Sequence, residues 1–268
     1  MRYRLVVADI DGTLTTSRQR IAARVRRAVR AAQERGVRVC LATGRAWPSG
    51  RRYFERLGAD SPAILYNGGM IYDFARNQIL NRRTLSHRQA SRVIAVLDAF
   101  PDLAAHLYVD DRIYVRRMTD VVRANARHDN WWPAAVGDFR RVLTGEVMKF
   151  RILGPRRRLR ALVQRVRRAG VAATCIFSAR ESLEILPRGT SKGAAVRLLT
   201  RRLGIPLREV LAVGDELNDL SMIDVAGLGV AMGNASREVR RAADYVAPTN
   251  DQDGLAEVIQ RFVLEPAG

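Results

Sequence analysis

The chain has 268 residues, 47% of them hydrophobic, with 46 Lys and Arg against 27 Asp and Glu for a formal charge of +19. That length suits two ordinary domains or one large one around a real core; no run approaches the roughly 18 apolar residues that span a bilayer, and Met1-Arg2-Tyr3-Arg4 opens no secretory pattern, so a cytoplasmic protein is expected. The charge raises nucleic acid as a partner, yet arginine pairs recur all along the chain without an aromatic platform and all but two of the basic residues are arginine, which predicts solvated faces and argues against dedicated nucleic-acid binding.

In chain order, the apolar run Leu5-Val6-Val7-Ala8 predicts a buried strand leading into Asp9-Ile10-Asp11-Gly12-Thr13-Leu14. A helix is expected from Arg18 to Arg35, with Ile21, Val25, Ala28, Val29 and Ala32 on one face and Gly36 as its stop. Val37 to Ala42 reads as a second strand ending at Thr43-Gly44-Arg45, a helical stretch follows near Arg51 to Leu57, and Ala63 to Tyr66 reads as a third strand ending at Asn67-Gly68-Gly69. This alternation predicts a parallel sheet with helices on its faces.

From about Asn81 the pattern changes. Ala104 to Tyr108 and Ile113 to Arg116 flank Asp110-Asp111 as a hairpin, and Val147 to Leu153, Ala173 to Phe177 and Ser182 to Leu186 are further strands. Helices are expected at His87 to Ala99, Thr119 to Ala126 and Arg156 to Ala169. The βα pattern returns with a helix from Thr190 to Leu203, the strand Val210 to Val213 and a helix beyond Asn218. The predicted fold class is therefore α/β, a Rossmann-like doubly wound core of residues 1–81 and 188–268 with an inserted α+β cap over 82–187. Cys40 and Cys175 follow no metal spacing and read as two buried thiols and not as a disulfide, compatible with a reducing compartment. His87, His106 and His128 follow no ligand spacing either, and Trp131-Trp132 reads as packing or as an entrance gate.

Residues two apart on a strand point the same way, so Asp9 and Asp11 are expected to share a pocket; a plain turn before Gly12 is the alternative. Asp9, Thr43, Asn67 and Asp215 each follow an apolar strand, which brings four segments to the carboxyl edge where ligands bind in an open parallel sheet. The acidic run Gly214-Asp215-Glu216-Leu217-Asn218-Asp219 adds oxygen ligands of the kind that suit Mg²⁺. Asp219 has two readings, an acid favoured by a helix N-terminus or a supporting group or ligand at a metal. Lys192 sits in a first helical turn, the unfavourable end for a cation, in a chain that otherwise uses arginine. A compact ammonium serving a phosphate and a carboxylate explains that choice; a solvated lysine is the bland alternative.

Asp9-Ile10-Asp11-Gly12-Thr13-Leu14, Ala42-Thr43-Gly44-Arg45, Gly189-Thr190-Ser191-Lys192-Gly193 and Gly214-Asp215-Glu216-Leu217-Asn218-Asp219 together resemble the four motifs of the haloacid dehalogenase superfamily. Asn67-Gly68-Gly69, Gly229 to Ala235 and Asn250 to Ala256 extend the resemblance to its Cof-type (class IIB) phosphatases, whose cap lies between the second and third motifs; Gly69 stands where alanine is commoner. The resemblance implies Asp9 as nucleophile, Asp11 as general acid/base and Lys192 as the group orienting Asp9. It further implies Thr43 and Asn218 on phosphate, Gly44, Arg45, Asn67 and Gly68 lining the entrance, and Mg²⁺ held by Asp9, the Asp11 backbone carbonyl and Asp215, with Asp219 behind it. The expected activity is Mg²⁺-dependent hydrolysis of a small phosphorylated metabolite such as a sugar phosphate through an aspartyl phosphate. A sugar phosphomutase is the alternative within the same chemistry, and an anionic-partner binding module on an inactive core the alternative outside it.

Overall fold

A computed structural model describes residues 2–265, which form two compact units. The first contains the chain up to Arg45, Gly50–Arg82 and the chain from Ser191 onward; the second contains Ala46–Ser49 and Arg83–Thr190.

The first unit is built on a five-stranded parallel sheet in the order Tyr245–Val246, Leu228–Ala231, Val210–Gly214, Leu5–Ala8, Arg38–Leu41. The two central strands are wholly buried because both of their faces are covered. Val6 and Ala8 pack with Val25, Val29 and Ala32 of the helix Ala23–Glu34, whereas Leu5 and Val7 pack with Val196 and Leu199 of the helix Lys192–Leu203. The period of two thus sends alternate residues into two helical layers, and a continuous apolar run is what that requires.

The strand order also fixes where a ligand can sit. From Leu5–Ala8 the chain steps outward to Arg38–Leu41, while from Val210–Gly214 it steps the opposite way. Connections leaving in opposite directions open a crevice beyond the carboxyl ends of the two central strands. Asp9 and Asp215 follow those ends directly.

Two expectations change in this unit. The first helix begins at Ala23 and not at Arg18, because residues 16–20 close a turn in which the Thr16 N–H donates to the Arg20 carbonyl at 3.0 Å and Gln19 takes φ +57°. The third strand, Ala63–Leu65, meets the parallel sheet through a single bridge, Ala42 to Ile64. Its ladder is antiparallel, with Met70–Asp73, which pairs in turn with Gln78–Arg82. Asn67-Gly68-Gly69 is therefore a hairpin turn as well as a strand end.

The second unit is a six-stranded, mainly antiparallel sheet in the order Ala173–Ala179, Ser182–Pro187, Val147–Leu153, Ala104–Val109, Arg112–Val115, Ala134–Ala135. Helices His87–Leu97 and Arg156–Arg168 bury Val93, Ile94, Leu159 and Leu162 against Leu107, Phe150, Ile152, Leu183 and Ile185 on one face. Alternation puts Tyr108, Lys149, Arg151 and Glu184 on the other. Trp131 meets the Tyr108 ring edge-on at 6.3 Å, and Trp132 is exposed. His106 is buried, and burial followed by the nearby Arg151 charge pushes its pKa down to about 4. Cys40 and Cys175 are free thiols, Cys40 buried as expected but Cys175 only partly so. Among the described residues no helix is long and apolar enough to cross a membrane.

Candidate active site

The strand Leu5–Ala8 ends one residue before Asp9, so strand alternation does not place Asp11. A tight turn over Ile10–Leu14 does, with Gly12 at φ +77°. Glycine is needed there twice over, since a Cβ would lie 2.2 Å from Asp215 Oδ2 and an L side chain resists that φ. The turn consequently lies directly against Asp215. It also separates the two acids: Asp9 is buried and pairs with Lys192, whereas the Asp11 side chain is 41% exposed and accepts two hydrogen bonds from Arg45, at 2.8 Å from Nε and 2.7 Å from Nη2.

Lys192 opens the helix Lys192–Leu203, whose N-cap Ser191 accepts from the Ala194 N–H. Its ammonium is fully buried and donates to Asp9 Oδ1 at 2.6 Å and to Asp219 Oδ1 at 2.5 Å. The other Asp219 oxygen accepts the Asp215 and Glu216 backbone N–H groups at 2.9 and 3.1 Å. Asp219 therefore braces the loop that presents Asp215 and simultaneously fixes the lysine. Thr13 Oγ1 donates to Asp215 Oδ1 at 3.1 Å.

Carboxylate oxygens of Asp9, Asp215 and Asp219 lie within 4.8 Å of one another, all three residues buried. Burial, opposed by Lys192 and reinforced by Asp219 and Asp11, pushes Asp9 up to about 7. Burial, then Asp9 and Asp219, push Asp215 up to about 9 against the pull of the Thr13 hydrogen bond. Burial alone would lower the Lys192 pKa; the Asp219 and Asp9 charges outweigh it and hold the ammonium above the ordinary lysine range. Of three buried carboxylates, the one ammonium thus reaches two, Asp9 and Asp219. Hard oxygen donors with charge left uncompensated fit a divalent cation such as Mg²⁺.

The second motif and the Asn67 turn interlock. The Asn67 N–H donates to the Thr43 carbonyl at 2.9 Å, and the Tyr66 N–H to the Arg45 carbonyl at 3.0 Å. Thr43 Oγ1, buried, accepts from the Arg45 N–H at 3.1 Å. Tyr66, Asn67 and Gly68 all take positive φ, 52°, 54° and 96°. Such conformations cost free energy for non-glycine residues and persist where surroundings impose them. A Cβ on Gly68 would lie 2.2 Å from the Ser191 carbonyl oxygen, so this glycine lets the turn press against the start of the lysine helix. Asn218 Nδ2 donates to Asn67 Oδ1 at 2.9 Å. Gly44 sits between Thr43 and Arg45.

Asp9, Asp215, Asp219 and Lys192 are thus in one cluster, Asp11 and Arg45 form a pair beside it, and Asn67 and Asn218 form another. Thr13, Asn234 and Asn250 received no role from the sequence; Asn234 and Asn250 lie in stretches already recognised as motif-like, which was the available signal.

The haloacid dehalogenase-like hydrolase family model matches residues 6–259. A 5-amino-6-(5-phospho-D-ribitylamino)uracil phosphatase of Bacillus subtilis is 32% identical over 267 residues, covering 97% of this chain and 96% of the relative. An HMP-PP phosphatase of Serratia proteamaculans is 30% identical, covering 98% and 97%. A solved haloacid dehalogenase-like hydrolase from Bacteroides thetaiotaomicron superposes with a TM-score of 0.85 at 32% identity, covering 97% of this chain and 99% of that one.

Proposed function

We propose, since this chain belongs to the haloacid dehalogenase-like hydrolases and is a phosphatase of their Cof type, that it is Mg²⁺-dependent, cytoplasmic, and hydrolyses sugar phosphates or closely similar metabolites. The observation that carries the metal is the buried trio Asp9, Asp215 and Asp219, of which one ammonium reaches only Asp9 and Asp219. The sugar-phosphate class draws support from the Bacillus relative, whose name places phosphate on a ribityl chain.

In this reading Asp9, the Asp11 backbone carbonyl and Asp215 hold the cation, and Asp219, with both oxygens occupied, stands behind them. When bound, Mg²⁺ offsets the carboxylate charge and that of the phosphoryl oxygens. Asp9 is the nucleophile: one of its oxygens attacks phosphorus while the other is held by Lys192, giving an aspartyl phosphate and splitting one hard displacement into two easier ones. Asp11, once it has left its pair with Arg45 and taken a proton from solvent, donates that proton to the leaving alcohol and then takes one from the attacking water. Arg45 holds Asp11 as a carboxylate through two hydrogen bonds in the substrate-free chain and must release it for that transfer. Thr43 and Asn218 donate to the phosphoryl oxygens, and Gly44 allows the backbone to approach them. Asn67 orients the Asn218 amide, and Gly68 lets that turn close on Ser191. Residues 82–187 are the cap that selects the rest of the substrate.

Phosphate release from a panel of sugar phosphates and other small phosphate esters, with and without Mg²⁺, tests this for the native chain and Asp9→Asn. The expected result is cation-dependent release that Asp9→Asn reduces by at least about 10³-fold, as removal of a covalent nucleophile does. Release that persists undiminished in Asp9→Asn would overturn the nucleophile assignment. Transfer to a second sugar hydroxyl with no free phosphate would turn the reading to a mutase.

A further inference from the structure

The proposed cation site draws its oxygens from the two ends of the chain, the turn after Leu5–Ala8 and the loop after Val210–Gly214. Something must set the spacing between them. Asn234, in the loop after Leu228–Ala231, touches both: its Nδ2 donates to the Gly12 carbonyl oxygen at 2.9 Å and lies 3.4 Å from Asp215 Oδ2. Its Oδ1 accepts the Asn250 N–H at 3.0 Å. Asn250 Nδ2 then reaches back to the Thr15 carbonyl at 2.8 Å, and Asp251 Oδ1 accepts the Ser17 N–H at 2.8 Å.

These contacts form a strut running from the Asn250–Gln252 turn through Asn234 to the Gly12 turn, with Asp215 alongside. The chemistry asks for an asparagine. One end of the group must donate, to a carbonyl and a carboxylate, while the other must accept a backbone N–H, and a primary amide does both. Alanine would leave the Asn250 N–H and the Gly12 carbonyl without this partner. Gly12 is one peptide beyond Asp11, whose carbonyl is a proposed cation ligand.

We propose that Asn234 is a positioning residue for the divalent cation, holding the Gly12 turn and the Asp215 carboxylate at their working separation, with Asn250 as its anchor. This rests on the Mg²⁺ reading above. Asn234 need not touch cation or substrate for it. Groups that orient a metal ligand are worth about 10–100-fold in metal affinity.

The test is cation affinity measured without substrate, by titrating Mg²⁺ or Mn²⁺ calorimetrically into the cation-free full chain, for the native protein, Asn234→Ala, Asn234→Ser, Asn250→Ala and Asp215→Asn. Asn234→Ala is expected to weaken binding about 10-fold or more, Asn250→Ala by less, and Asn234→Ser, which retains a hydroxyl donor, to recover part of the loss. The KM for a phosphate ester at saturating cation should stay within about twofold, since the loss falls on the cation and not on the ester. Native affinity in both Asn234 variants, with Asp215→Asn impaired, overturns the positioning role alone. If Asp215→Asn binds as tightly as the native chain, the Mg²⁺ reading is what fails. Should Asn234→Ala fold poorly, Asn234→Ser and Asn250→Ala carry the same comparison.

Discussion

The chain has two lysines, both buried against carboxylates, one in each unit, and the two settings differ in charge balance. In the second unit Lys149 Nζ lies 2.8 Å from Glu184 and 4.9 Å from the centre of the Tyr108 ring, and nearby Arg151 meets Asp129 at 2.8 Å. There two cations face two carboxylates. In the first unit Lys192 is bonded to two members of a trio of buried carboxylates. The difference shows in the lysines themselves: burial outweighs Glu184 and lowers the Lys149 pKa, whereas Asp219 and Asp9 outweigh burial and raise that of Lys192. A balanced buried set is complete as it stands. An unbalanced one leaves carboxyl groups that a divalent cation can neutralise.

The largest effect is expected from Lys192→Met, which keeps the apolar stem and deletes the ammonium. Phosphate release at saturating Mg²⁺ should fall by about 10³-fold, the scale of losing a donor aimed at developing charge. A loss below about tenfold would detach Lys192 from the chemistry.

Lys149→Met should instead damage the fold, by about 3–5 kcal/mol in urea unfolding, because Glu184 keeps a buried charge without this cation. Replacing both residues by apolar ones, Lys149→Met with Glu184→Leu, should recover most of that. No double replacement at Lys192 and Asp219 should recover turnover. A Lys149→Met protein as stable as the native chain would end the idea that balance is what the second cluster supplies.

The contrast extends to pH. Asp9 at about 7 and Asp215 at about 9 both exceed the roughly 3.9 of an unfolded aspartate. Between about pH 4 and pH 9 these two groups therefore bind more protons in the folded, cation-free chain than in the unfolded chain. Stability contributed by these protonated groups is present at low pH and is lost as pH rises through about 7 and then about 9. Melting temperatures of the chelated protein should fall across that window, and Asp215→Asn should flatten the fall. Millimolar Mg²⁺ should restore stability at the neutral end, since a ligand that binds only the folded state stabilises it. A chelated protein that gains stability between pH 5 and 9 would contradict the assignment.

The legible parts of the site were those written locally. Asp9, Thr43, Asn67 and Asp215 follow apolar strands, so chain order alone placed them on one rim, and Lys192 stood out against a background of arginine. The partnerships were not legible. Arg45 finds Asp11 through a turn that breaks strand alternation, and Lys149 finds Glu184 only through the register of two strands, with Arg151 opposite Glu184. Asn234 and Gly12 lie 222 positions apart. The hairpin Ala63–Leu65 with Met70–Asp73 was missed for a similar reason: Asn-Gly ends a strand and turns a hairpin with the same residues.

The smallest expected effect comes from a charge pair that belongs to neither cluster. Arg51 and Glu55 pair at 2.7 Å one helical turn apart, with both side chains more than half exposed. Water already solvates each charge and salt screens their attraction, so such pairs contribute about 0.3–0.5 kcal/mol. Arg51→Ala should therefore move the urea midpoint barely, leave phosphate release unchanged, and lose even its small effect at high salt. The same ion-pair chemistry is thus expected to range from near nothing at Arg51, through folding at Lys149, to catalysis at Lys192. What changes along that series is burial, and then whether the carboxylates outnumber the cations. An Arg51→Ala penalty as large as that of Lys149→Met would mean that burial does not order it.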